Sequence, residues 1–199
     1  MIKGITGVVL AGGENKRFPT LKGFISVGDS TIIEKNLGLL GRIFHKVFIS
    51  TNMPEAYFFS GATLIGDALP SKGPMSGIYS SLVNAGGDDI FVIACDMPFP
   101  DRDVASFICE EHLKLSGTFD ATVPVYNGKP QPLFGVYSRT VLPHLEAGIL
   151  NGKVSLRRLL NEIKTNLVDE SAIRAIDPGG RSFININTVE DYDAVMRNV

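Results

Sequence analysis

A chain of 199 residues suits a single domain covering 1–199. With 44% hydrophobic and 20% charged residues and a formal net charge of −2, the chain has the makeup of a globular protein with a buried core, and it offers neither a basic nucleic-acid footprint nor an acidic tail. The longest apolar runs, such as Gly7–Leu10 and Ile90–Ala94, fall far short of the ~20 residues of a membrane helix, and the amino terminus lacks a signal peptide's apolar stretch, so no membrane partner and a cytoplasmic location are expected.

In chain order, Ile5–Leu10 predicts a strand. Thr31–Phe44 predicts a helix, with Ile32, Ile33, Leu37, Leu40 and Phe44 near one face. Lys46–Thr51 and Ala62–Ile65 read as further strands, Gly77–Ala85 as a helix and Ile90–Ala94 as a continuous apolar strand. Asp101–Ser116 is helical, with Val104, Phe107, Ile108 and Leu115 on one stripe. Ala121–Tyr126 and Gln131–Tyr137 flank Asn127-Gly128, a hairpin-turn signal. Arg139–Ala147 and Ser155–Ile163 look helical, Phe183–Asn187 looks extended, and Thr188 is placed to cap a last helix through Arg197. Continuous apolar strands between helices predict a three-layer α/β domain with a mostly parallel sheet covered on both faces.

Cys95 and Cys109 match no zinc or redox spacing and are expected to be small buried hydrophobes. His45, His112 and His144 are scattered and are expected to be structural or surface residues.

Ligands of open α/β sheets bind beyond the carboxyl ends of the strands. Four places qualify. After the first strand, Gly12 and Gly13 let the backbone approach a ligand, so that amides cradle phosphate oxygens, while Lys16, Arg17 and Lys22 add positive charge. The plainer alternative is a strand-to-helix turn, since the loop is neither a Walker A motif nor G-x-G-x-x-G. After Ile90–Ala94, Asp96 is suited to hold Mg²⁺; the competing role is a cap for the helix near Asp101. Asp67, with the glycines of Gly73-Pro74-Met75-Ser76-Gly77, could meet a base or ribose, or merely form a turn. In an extended segment Asn185 and Asn187 share a face, where two amides could orient a phosphate or a metal-bound water. A pair of turn and capping residues is the alternative.

The order of these motifs is more specific than any of them alone. Leu10-Ala11-Gly12-Gly13 with Arg17 and Lys22, then Asp67, Gly73-Pro74-Met75-Ser76-Gly77, Cys95-Asp96-Met97-Pro98-Phe99, Gln131-Pro132-Leu133-Phe134-Gly135-Val136-Tyr137 and Phe183-Ile184-Asn185-Ile186-Asn187-Thr188 together resemble the molybdenum cofactor guanylyltransferase family, over about residues 5–197. The Asn-x-Asn-Thr ending separates that family from sugar-phosphate nucleotidyltransferases that share the first loop.

The resemblance implies a Rossmann-like nucleotidyltransferase fold, transfer of GMP from GTP to molybdopterin carrying molybdenum, and release of pyrophosphate. It further implies that Leu10, Ala11, Gly12 and Lys22 contact GTP, that Asn52 and Asp67 recognise the guanosine portion, that Asp96 binds Mg²⁺, and that Asn185 and Asn187 lie on the pterin side. Other proteins of cofactor biosynthesis or molybdoenzyme maturation are the partners such a reading suggests. The sequence departs from the family where Phe18-Pro19 follow Arg17, where Leu21 precedes Lys22, and where Val189 stands in place of the usual Pro. A phosphate-monoester acceptor, whose second pKa is near ~6, needs no general base or enzyme nucleophile. That agrees with a sequence lacking a Ser/His/Asp or Cys/His constellation. A cytidylyltransferase for the same cofactor and a non-catalytic nucleotide-binding relative are the alternatives.

Overall fold

The computed structural model describes residues 1–12, 21–70 and 73–197. The chain begins with β1 (Ile5–Leu10), a short hairpin of β2 (Ser26–Val27) and β3 (Ser30–Thr31), α1 (Ile32–Ile43), β4 (Val47–Ser50), α2 (Pro54–Tyr57) and β5 (Thr63–Ile65). It continues through α3 (Pro74–Asn84), β6 (Asp89–Ala94), α4 (Arg102–Lys114), β7 (Ala121–Tyr126), β8 (Lys129–Pro130) and β9 (Phe134–Ser138). The last elements are α5 (Leu142–Leu150), α6 (Leu156–Glu162), β10 (Thr165–Val168), α7 (Glu170–Ile176) and α8 (Val189–Met196).

The main sheet runs in the order β10-β7-β9-β6-β1-β4-β5, with β8 attached to β7. Pairs β6–β1, β1–β4, β4–β5 and β10–β7 are parallel, and β9 runs antiparallel to both its neighbours. Alternation along β1 explains the layering. Ile5 and Val9 enter a core with Leu40 of α1, Phe44 that follows the helix and Ile108 of α4, whereas Val8 and Leu10 enter a second core with Ile78 and Leu82 of α3. Each large aliphatic side chain buried in this way contributes roughly 1.5–3 kcal/mol relative to solvent. The three-layer α/β expectation holds. A third, smaller cluster joins Ile25, Val27 and Ile32 to Ile186 and Val195 and so ties the segment after the first loop to the carboxyl-terminal helix.

Most expected elements form, with adjusted ends. Thr31 caps α1 in a reciprocal pair with Glu34, and Thr188 caps α8 likewise with Asp191. Helix α3 starts earlier than expected, because Pro74 takes the first helical position, where its missing N–H costs nothing, behind Gly73 at φ 76°. Asn127 and Gly128 both have positive φ, as the sharp hairpin turn requires. Two expectations fail. Gln131–Tyr137 is not one strand: Pro130 and Pro132 remove ladder donors, so β8 ends at Pro130 and β9 starts afresh at Phe134 between β7 and β6. Phe183–Asn187 is not a strand either. Arg181–Phe183 forms a 3-10 turn, and the residues after it follow an irregular path held by Ile186 N donating to the Asp96 carbonyl at 2.9 Å.

Candidate active site

The parallel register levels the strand ends. Leu10 pairs with both Ser50 and Ala94, and Ser50 pairs with Ile65. The residues that follow, Ala11-Gly12, Thr51-Asn52, Gly66-Asp67 and Cys95-Asp96, are therefore presented side by side. Strands β4 and β5 extend to one side of β1 and β6 lies on the other, so the sheet's switch point falls between the loop after β1 and Asp96. A cavity of about 600 Å³ opens there, lined among others by Leu10, Ala11, Gly12, Lys22, Asn52, Asp67 and Asp96. These are all the nucleotide-site residues expected from the sequence that fall among the described residues; Gly13 and Arg17 lie outside them, as does Lys16. Gly77 forms part of the wall because α3 packs so closely that a Cβ there would meet Ser50 Oγ at 2.7 Å and Leu10 Cδ2 at 2.9 Å.

Two polar clusters organise the cavity. Asn52 Nδ2 donates to Asp67 Oδ2 at 2.8 Å, and Asp67 N donates to Asn52 Oδ1 at 2.9 Å. Both polar atoms of the Asn52 amide are thus spent on fixing Asp67, whose other carboxylate oxygen receives no bond from the described residues. On the opposite side, Lys22 Nζ donates to Asp96 Oδ2 at 2.9 Å and to Asn187 Oδ1 at 2.5 Å.

Asp96 does not cap α4. Asp101 does so itself, accepting from Asp103 N and Val104 N. Asp96 Oδ1 is instead buried and without a hydrogen-bond partner among the described residues. A buried carboxylate oxygen left without a donor is costly unless something completes it, and a hard divalent cation takes that kind of ligand. Among the described residues no three His, Cys, Asp or Glu side chains could hold a metal by themselves. A cation at Asp96 would thus complete its shell with phosphate oxygens and water, as Mg²⁺ favours. Burial, reinforced by the Asp96 charge, pushes the adjacent Cys95 thiol up to about 12, so it is no nucleophile at neutral pH.

Asn185 and Asn187 do not act as a matched pair. Without a strand between them, Asn185 Nδ2 turns back onto the Phe183 carbonyl at 3.0 Å, while Asn187 reaches Lys22. Sequence reasoning missed the Lys22–Asn187 contact, which joins residues 165 positions apart. Val189, at the position where the family usually has Pro, is the first residue of α8, where the capping box defines the helix start without Pro.

A family model described as the MobA-like NTP transferase domain matches residues 7–167. The chain belongs to that family. This MobA-like chain is 32% identical to a molybdenum cofactor guanylyltransferase from Desulfosudis oleivorans, covering 95% of the chain and 93% of that relative. It is also 32% identical to a probable molybdenum cofactor guanylyltransferase from Pelotomaculum thermopropionicum, over 94% of the chain and 89% of the relative. Among solved structures, molybdopterin-guanine dinucleotide biosynthesis protein A from Archaeoglobus fulgidus superposes with a TM-score of 0.84 at 25% identity, covering 97% of both chains. The MobA-like chain is thus a nucleotidyltransferase by family, with its cavity at the expected end of the sheet. Among the described residues no helix is long and apolar enough to cross a membrane.

Proposed function

We propose that this MobA-like protein transfers GMP from GTP to the terminal phosphate of molybdopterin carrying molybdenum. An acceptor phosphate oxygen attacks the α-phosphorus of GTP, the bond from that phosphorus to the bridging oxygen breaks, and pyrophosphate leaves. The observation that carries the reading is the meeting of Lys22 with Asp96, whose second oxygen is buried and has no partner among the described residues, in the cavity that Gly12 lines. The names of the relatives support the guanine and pterin assignments.

Each residue has a physical task in this scheme. Gly12 presents its backbone amide to the phosphates without a side chain in the way. Lys22 neutralises phosphate charge. Asp96 would hold Mg²⁺, which when bound polarises phosphoryl oxygens and offsets charge on the leaving group. Asp67, fixed by Asn52, offers a carboxylate to the N–H donors on the Watson–Crick edge of guanine. The acceptor enters from the side of Asn185 and Asn187. It arrives already anionic, so the protein supplies placement and charge rather than a base.

The test is a thermal-shift screen of GTP, CTP, ATP and UTP with Mg²⁺, followed by a pyrophosphate-release assay with the pterin acceptor. GTP is expected to raise the melting temperature most, because a ligand that binds only the folded state stabilises it. Equal or greater stabilisation by CTP would overturn the guanine assignment. Nucleotide binding without pyrophosphate release would reduce the protein to a binding module.

A further inference from the structure

The segment before α8 is pinned at three points. Ile186 is buried and its N–H donates to the Asp96 carbonyl at 2.9 Å. The backbone N–H groups of Asn187 and Thr188 both donate to Asp191 Oδ2 at 2.9 Å. These bonds, that from Asn187 first, hold the Asp191 carboxyl below its ordinary range. Asn187 thus has a fixed backbone, and its side-chain oxygen accepts from Lys22 Nζ.

Lys22 has two partners of different kinds. Asp96 is a charge, and a cation drawn to Asp96 competes with the ammonium for it. Asn187 is neutral. It keeps a long, rotamer-rich side chain pointed in one direction without cancelling the charge that a phosphate is to meet. Asn185, turned onto its own backbone, does neither.

We propose that Asn187 is a positioning residue for the nucleotide half of the site: it holds the Lys22 ammonium where the triphosphate arrives, and so makes GTP affinity depend on the carboxyl-terminal segment. This rests on the nucleotidyltransferase reading above and adds to the pterin-side role that family resemblance gives Asn187.

The experiment is a double-mutant cycle on the full chain, with GTP–Mg²⁺ affinity measured by calorimetry in the absence of any acceptor. Asn187→Ala is expected to weaken GTP binding about tenfold, the scale of a lost hydrogen bond to a charged group. Lys22→Met is expected to weaken it at least as much. In the double variant the loss should equal that of Lys22→Met alone, because Asn187 acts only through Lys22. The ligand-free melting temperatures, read alongside, show that each variant is folded. Unchanged GTP affinity in Asn187→Ala, or losses that add in the double variant, would overturn the proposal. If the wild type prefers another triphosphate, the guanine reading fails and the same cycle with that nucleotide still decides Asn187; a wild type that binds no triphosphate overturns both.

Discussion

At the amino end of β6, Asp89 sits with His112, Thr122 and Ser138; at its carboxyl end Asp96 sits with Lys22 and Asn187. In the first cluster His112 Nδ1 lies 2.9 Å from Thr122 Oγ1, and Nε2 lies 3.1 Å from Ser138 Oγ and 3.5 Å from Asp89 Oδ1. His112 and Thr122 are almost wholly buried. Serine, histidine and aspartate meet there, yet Ser138 and Asp89 approach the same ring nitrogen, Thr122 occupies the other, and no cavity described above reaches them. In the second cluster one carboxylate oxygen has no partner among the described residues and a cavity opens over it. Residue types alone do not separate structure from chemistry here. Unfilled bonding capacity next to open space does.

The sharpest way to break the comparison is at the open end. Asp96→Asn keeps the shape but removes the charge a cation needs, and turnover is expected to fall at least about a hundredfold. The ligand-free melting temperature should hold or rise, since the variant gives up one part-buried ion pair but also relieves a buried carboxylate oxygen that has no donor among the described residues. Near-normal pyrophosphate release from this variant would remove Asp96 from the metal site. At the closed end the pattern reverses. His112→Leu strands the hydroxyls of Thr122 and Ser138 and is expected to cost about 1–3 kcal/mol of stability, read by denaturant unfolding, with kcat unchanged. A variant that lost turnover without losing stability would make the closed cluster functional.

The smallest expected effect concerns pH. Burial alone would raise the Asp89 carboxyl, but hydrogen bonds from His112 and Ser138 and the nearby His112 charge outweigh it and hold the group below its ordinary range. A depressed carboxyl stabilises the fold above its unfolded value, about 4, and loses that contribution as the pH falls through the folded value. The melting-temperature advantage of the wild type over Asp89→Asn should therefore be complete above about pH 5 and shrink below about pH 4. An advantage that grows on acidification would reverse the assigned sign.

The difference between the two ends also marks what the sequence discloses. β1 reads correctly from its β-branched, mostly apolar run, and the two flanking parallel strands are found with ends adjusted by a residue. Gly12 and Asp96 are found because each directly follows such a run. β10 and α7 escape notice because each buries a single side chain, Val168 and Ile173, too few to set up an apolar pattern. The place of β9 between β7 and β6 is a matter of long-range pairing, which no local pattern encodes. Asn187 is found as a residue type, but its partner is not. The irregular path from Ile184 to Thr188 is set by a backbone bond to Asp96, not by strand alternation. The closed cluster is invisible in the sequence because its members come from four different elements.

The bond from Ile186 to Asp96 and the contact from Asn187 to Lys22 also set an order in time. A ribosome adds about 5–20 residues per second, so it delivers Asn187 roughly ten to thirty seconds after Lys22, 165 residues upstream. Only β1 precedes Lys22, whereas by Val168 all the described strands of the main sheet have been made, and Lys22 still lacks its neutral neighbour. If Asn187 positions Lys22 as proposed, full affinity for nucleotide arrives late in translation, and a chain cut short before Ile186 would lose that contact together with the cluster of Ile25, Val27 and Ile32 with Ile186.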